Sequence, residues 1–360
     1  MRIRGLCKKA AAVFMSGLMI AGLAGCGGSG NSKKAEENGY ADTLNIYMWS
    51  EYIPESIFTE FEQETGIHVV PAYYASNDEL IAKVTSGAGS QYDLIQPSIY
   101  KLPILTKGDY IEKLDMNNIP NYKNLDENYQ DIEGYEDAKD YYVPYMMDRE
   151  YIVYNTDTCP IEIKSLNDLK NPKLKNSLVF TAGTNLITLG LCALGIDPFT
   201  TDEKDYEKAY EWAKDVYPNV KVIDGDSPKS QFMNGEVVAG QIYSGDLALL
   251  MESMDNIKIA EVKEKMGSSA DCWAIPKGAK HKKEAEAFLN FLLEPEHMAE
   301  CLNSYPYISV MSAATDLAES SYKDSIVHQN NDYNKNGFYV NKYTGMEDTL
   351  DKYWTKLSAK

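Results

Sequence analysis

Arginine is nearly missing from this chain of 360 residues: Arg2 and Arg4 stand at the extreme N-terminus, and Arg149 is the only other one. Lys and Arg together number 35 against 54 Asp and Glu, a formal net charge of −19. A surface so short of cations is repelled by nucleic acid and by anionic lipid headgroups, which excludes roles that depend on binding either through charge. Its field favours cationic partners at long range, although acidity that serves solubility alone gives the same balance. Histidine is scarce too: His68, His281, His297 and His328 are scattered, with no HExxH, and no GxSxG nucleophile elbow occurs. His68 falls in an extended run and is expected to pack; the others read as surface residues. Cysteine numbers 6 with no CxxC, so neither a zinc cluster nor a redox motif is supported. Cys159, Cys192, Cys272 and Cys301 are compatible with disulfides or with buried thiols, and buried thiols are favoured because a chain this long needs no staples. The GxGxxG match from Gly25 to Gly30 has no strand before it and no helix after it. Asp332 to Gly337 matches half a calcium loop, but Tyr343 occupies the position that requires a bidentate Glu. No metal or cofactor is expected, and among so many acids no carboxylate pair singles out a glycosidase dyad.

Only one long apolar run exists, Ala10 to Gly22, preceded by Arg2, Arg4, Lys8 and Lys9. It is short for a membrane span and fits a secretory signal over residues 1–25. The run ends in Leu23-Ala24-Gly25-Cys26, which resembles the lipobox of bacterial lipoproteins and implies cleavage before Cys26 and a lipid on its thiol. Removing four cations and no acids takes the charge from −19 to −23. Residues 26–40 are small and polar, as expected of a flexible tether that leaves the protein on the outer face of a cell membrane. The remaining length suits two domains.

Periodicity then divides the chain. Leu44, Ile46 and Met48 alternate with polar positions, as in a strand; Ile57, Phe58 and Phe61 share one face of a helix closed by Gly66; Ile67 to Val70 is extended again. This is a βαβ unit, and in open parallel sheets ligands sit beyond the carboxyl ends of strands, so Trp49 and Tyr52 are expected to face a crevice. A helix capped by Ser76 or Asn77 follows, then a strand over Tyr92 to Gln96, with Ser98 and Tyr100 just past its end. Residues 117–140 read as loops with short helical pieces. Tyr142 to Asn155 and Leu178 to Thr181 are extended, and Leu186 to Leu194 is helical. Thr200-Thr201-Asp202-Glu203 matches a capping box for a helix carrying Tyr206, Ala209, Tyr210 and Ala213. Val237 to Ile242 is a buried-type strand ending at Tyr243, and Asp246 begins the next helix. Asp271 precedes another extended run, and amphipathic helices lie over Lys282 to Leu293 and Glu347 to Leu357.

The ordered words Glu51-Tyr-Ile-Pro54, Glu64-Thr-Gly-Ile67, Tyr74-Ala-Ser-Asn77, Tyr92 to Tyr100 (YDLIQPSIY), Asn124-Leu-Asp126, Val143-Pro-Tyr145, Ala274 to Ala279 (AIPKGA) and Phe288 to Glu296 (FLNFLLEPE) resemble the extracellular spermidine/putrescine-binding components of ABC importers. The resemblance implies an α/β, two-lobed, periplasmic-binding-protein-like (type II) fold that hinges around a ligand cleft. It implies lobes of 41–147 plus 271–316 and 148–270 plus 317–360, with crossovers at Tyr142 to Asn155 and into Ala274. It implies capture of a small amine of polyamine type, delivery to a permease and its ATPase, no catalysis, and a monomer. Trp49, Tyr52, Tyr100, Tyr243 and Tyr305 match the family's ring positions, Ser98 its polar contact and Asp271 its telling carboxylate. Aromatic faces suit both methylene segments and ammonium charge.

The match breaks where the family carries two acids: this chain reads Ala182-Gly-Thr-Asn-Leu186. Ser269 stands where the family has tryptophan, and Val340 falls where it has glutamine. Asp148 and Glu150 occupy a crossover that the family keeps small and neutral, and Asp246 follows Tyr243; Asp148 and Asp246 are therefore taken as candidate ammonium contacts beside Asp271. Arg149 is expected either in an internal ion pair or on a ligand carboxylate, the latter making the guest an amino acid or other zwitterion. Two further alternatives are a surface lipoprotein without a transport role and a hydrolase using acids in the cleft; the absence of an assembled nucleophile or metal motif disfavours the hydrolase.

Overall fold

The computed structural model describes residues 31–359 except 131, 133, 134 and 330. The leader, Cys26 and residues 27–30 of the expected tether lie outside the described residues. From Asn31 the tether reading is corrected: Asn31–Glu37 is a helix, and Ala35 is fully buried in the first lobe's core. The Lys34 ammonium donates to the Gln63 carbonyl at 2.5 Å, so this segment is tied to the body of the protein.

The first lobe is built on a parallel three-stranded sheet, ordered 68–74, 43–49, 94–95. Alternation along Thr43–Trp49 sends Leu44, Ile46 and Met48 into one core and Tyr47 into another on the opposite face. Ile57, Phe58 and Phe61 of the helix Glu55–Thr65 fill the first of these together with Phe288 and Phe291 from the helix Lys282–Leu292. Gly66, at φ 85°, takes the left-handed conformation expected of it, and its N–H donates to the Glu62 carbonyl. His68 corrects the packing expectation. It opens the edge strand on the outward side, pairs with Glu62 at 2.7 Å and leaves 61% of its side chain exposed, while Val69 points inward.

The second lobe centres on a larger sheet of eight strands, whose main path runs 338–340, 266–273, 143–155, 239–243, 178–180, 220–223. Val143–Asn155 is the longest strand and belongs to both lobes: Val143 to Arg149 pairs with Met266–Trp273, and Glu150 to Tyr154 with Ala239–Tyr243. Its β-branched and aromatic residues suit burial on two faces, with Ile152 and Tyr154 in one core and Tyr151 and Val153 in the other. The strand Met266–Trp273 is the second crossover, bridging onward to the first lobe at Ser98–Asp271 and Ile95–Ala274. Two lobes joined by long shared strands are the two-lobed α/β arrangement expected.

Local details differ in informative ways. The helix Glu203–Val216 is capped by Asp202, whose carboxylate accepts from Lys204 N–H, while Thr200 binds Asp205. Two histidines depart from the surface positions expected of them. Burial holds the His328 imidazole neutral, down at about 4, and its ring lies 4.3 Å from Tyr322. The His297 ring stacks on Phe291 at 3.7 Å and is largely covered. The four described cysteines are free thiols; Cys192, Cys272 and Cys301 are buried and Cys159 is half-buried. Asp332–Asn336 is a short helix capped by Asn331. Among the described residues no helix is long and apolar enough to cross a membrane.

Candidate ligand-binding site

The carboxyl ends of the first lobe's strands open onto a cavity of about 190 Å³ that both lobes line. From the first lobe come Trp49, Tyr52, Ser98, Tyr100 and Tyr307; from the second, Thr181, Asn185 and Tyr243; from the two crossovers, Asp148, Glu150 and Asp271. Tyr243 ends a second-lobe strand yet packs against the first lobe's core, so rings from both halves meet around one space. Trp49 leans on Tyr74 with centroids 4.5 Å apart, and Tyr52 lies 4.7 Å from Tyr307.

Asp271 is 8% exposed, and its two oxygens accept from Ser98 Oγ at 2.6 Å and Tyr52 Oη at 2.7 Å. Asn77 fixes Ser98 and Tyr100 in turn, donating from Nδ2 to Ser98 Oγ at 2.9 Å and to Tyr100 Oη at 3.2 Å. Asp148 accepts from Ser269 N–H at 2.7 Å, and Glu150 from Asn185 Nδ2 at 3.0 Å. Among the described residues none of these three carboxylates is ion-paired with a Lys, Arg or His.

Crowding three acids away from water penalises their charged forms. Burial raises Asp271, opposed by its bonds from Ser98 and Tyr52. Burial, then the charges of Asp271 and Glu150, push Asp148 well above the usual carboxylate range. Burial lifts Glu150 to about 7 against the pull of Asn185. Two buried donors, Trp49 Nε1 and Gln241 Nε2, have no hydrogen-bond partner among the described residues. They stand beside Asp271 and Glu150 respectively, near enough to favour the ionised carboxylates without reaching hydrogen-bond geometry.

Not every expected contact is here. Asp246 lies outside the cavity lining: it is 3% exposed and receives Lys229 Nζ at 2.6 Å. Tyr305 is also outside it, and Tyr307 takes the place expected of it. Tyr307 N–H donates to the Tyr305 carbonyl at 2.8 Å, a γ-turn that separates the two rings. Among the described residues Arg149 neither lines the cavity nor pairs with an acid. Strand alternation turns it away from Asp148 and Glu150; its Nη1 donates to the Val327 carbonyl and its guanidinium lies 5.2 Å from the Phe338 ring centroid. The motif-level reading missed Tyr307 and the side chains that close the rim. Ser50 Oγ donates to Asp226 at 2.7 Å, and Lys229 bridges Glu51 to Asp246. Gly225 makes this approach feasible, since a Cβ there would stand 2.8 Å from Thr181 O and 3.0 Å from Ala75 O. No local signal could have found these contacts, because each joins segments far apart in sequence.

Comparison with known proteins agrees with this architecture. Residues 56–328 match the family model of bacterial extracellular solute-binding proteins. A spermidine/putrescine-binding periplasmic protein of Salmonella typhimurium is 32% identical over 321 residues, covering 88% of this chain and 92% of that protein. Its Escherichia coli namesake is 31% identical over the same shares. Among solved structures, a Listeria monocytogenes chain provisionally assigned to a spermidine/putrescine ABC transporter has a TM-score of 0.81 at 27% identity, covering 88% of this chain and 99% of its own. A lipoprotein of Treponema pallidum has a TM-score of 0.75 at 25% identity over the same shares. The match runs through both lobes and the strands that join them, and by it this chain belongs to the bacterial extracellular solute-binding protein family.

Proposed function

We propose that the protein captures a linear polyamine between its lobes and delivers it to an ABC permease. The observation that carries this reading is the set of three carboxylates, Asp271, Asp148 and Glu150, without a cationic partner among the described residues, in a cavity walled by Trp49, Tyr52, Tyr100, Tyr243 and Tyr307. Ammonium groups supply the missing counter-charge, and the rings cover the methylenes between them while attracting the charge through their faces. Ser98 holds Asp271 in position. Tyr305 and Asp246 act at the rim, not on the ligand. The lobes divide close to 41–147 plus 271–316 and 148–270 plus 317–360, except that Ala35, Ala318 and Tyr322 pack into the first lobe's core. The Salmonella and Escherichia relatives, both spermidine/putrescine-binding, support the amine. A zwitterion held by Arg149 has no such support, because that guanidinium lies away from the cavity. Binding without turnover is the expected activity.

Calorimetric titration with spermidine, spermine, putrescine, amino acids and short sugars tests the reading. Saturable heat from the amines alone is expected; heat from another solute with none from any amine would remove the polyamine assignment. We further propose that Cys26 carries a lipid that holds the protein, as a monomer, on the outer face of the cell membrane beside the permease and its ATPase. Cys26→Ser should move the protein from the membrane fraction to the medium, and unchanged fractionation would count against the anchor.

A further inference from the structure

We infer that Glu150 sets the length of ligand the site prefers, by adding a third carboxylate in line with Asp271 and Asp148. The inference rests on the polyamine reading and concerns which amine is favoured. Asp148 and Glu150 are two residues apart on one strand and both line the cavity, so their Cα atoms stand about 6.7 Å apart at the usual strand rise. Asp271 lies across the ladder from Met146, the next position on that same side. The three acids thus form a row in the order Asp271, Asp148, Glu150.

The surrounding groups follow the same order. Tyr52 touches the Asp271 end through its hydrogen bond. Tyr243 is the ladder partner of Glu150 and marks the other end. Gly267 leaves room for the third acid: a Cβ there would come within 2.7 Å of Glu150 Oε2. An extended chain covers about 1.2 Å per bond, taking the backbone's own reach as the guide, so nitrogens joined by three or four methylenes lie about 5–6 Å apart. A linear triamine therefore sets three ammonium groups along three acids, whereas a diamine occupies two. The diamine takes the Asp271–Asp148 end, where Trp49, Tyr52 and Tyr307 crowd the space.

The test is calorimetric titration of the wild-type chain, Glu150→Gln and Gly267→Ala with spermidine and putrescine at one pH and salt concentration. Glutamine keeps the shape and the bond from Asn185; alanine at 267 retains the Glu150 charge but displaces it. Wild type should bind the triamine at least tenfold more tightly than the diamine. In both variants triamine affinity should fall 10- to 100-fold while diamine affinity changes less than threefold. Equal losses for both ligands, or no loss for either, in variants that melt as wild type does would overturn the role of Glu150 and leave the polyamine reading intact. Binding of neither amine by wild type would remove that reading and this inference with it.

Discussion

Asp271→Asn should weaken amine binding about a hundredfold while leaving the unliganded fold as stable as before, or slightly more so. The side chain is buried and held between Ser98 and Tyr52, two hydroxyl donors that orient its oxygens before any ligand arrives. Removing one partner of a desolvated charge pair costs about 2–5 kcal/mol of binding, and about 3 kcal/mol corresponds to roughly a hundredfold in affinity. The same charge has no cationic partner among the described residues, so in the empty protein its removal relieves desolvation instead of breaking a pair. Hydroxyls can turn to accept from the new amide, which limits the disturbance. Titration calorimetry and thermal melting separate the two effects. Unchanged affinity would take Asp271 out of ligand recognition, and a collapse of the melting temperature would show that its role is structural.

Acidity should act on the empty and filled protein in opposite directions. Burial raises Glu150 from 4.5 to about 7. Asp148 moves the same way, through burial and then its neighbours Asp271 and Glu150. Asp246 is lifted by burial to about 7 despite Lys229. Groups whose folded-state values lie above their unfolded ones stabilise the fold fully below the unfolded value and lose that contribution as pH rises through the folded one. The empty protein should therefore lose stability between about pH 4.5 and 7, with Glu150 alone worth about 3 kcal/mol across that interval. A bound ammonium favours the ionised acids, so affinity should rise with pH through the Glu150 value by up to about tenfold per unit for each proton displaced. Titrations in buffers of different ionisation enthalpy should register proton release, and Glu150→Gln should flatten both trends. An affinity that stays constant from about pH 5.5 to 8, with no proton released, would contradict this account.

The elements that frame the site are legible in residue order because each rests on short-range periodicity. Alternation along Leu44 to Met48, the helical spacing of Ile57, Phe58 and Phe61, and the left-handed turn at Gly66 all follow from backbone geometry within a few residues. Strand ends mark where a crevice opens, so Trp49, Tyr100 and Tyr243 are recognisable as candidates before any coordinates exist. Pairings across the chain are not of this kind. Asp271 reaches Ser98 and Tyr52 only because Met266–Trp273 crosses between the lobes, and Asp246 is taken up by Lys229 instead of the ligand space. Tyr307 replaces Tyr305 because a single γ-turn redirects the chain. The acids of the Asp148-Arg149-Glu150 run separate from the arginine by strand alternation once the sheet has chosen which face meets the cavity. Composition and local pattern thus establish two α/β lobes with rings at their strand ends. Which charges stand together, unpaired, in the gap between them is decided only when register and long-range packing bring distant segments to the same point.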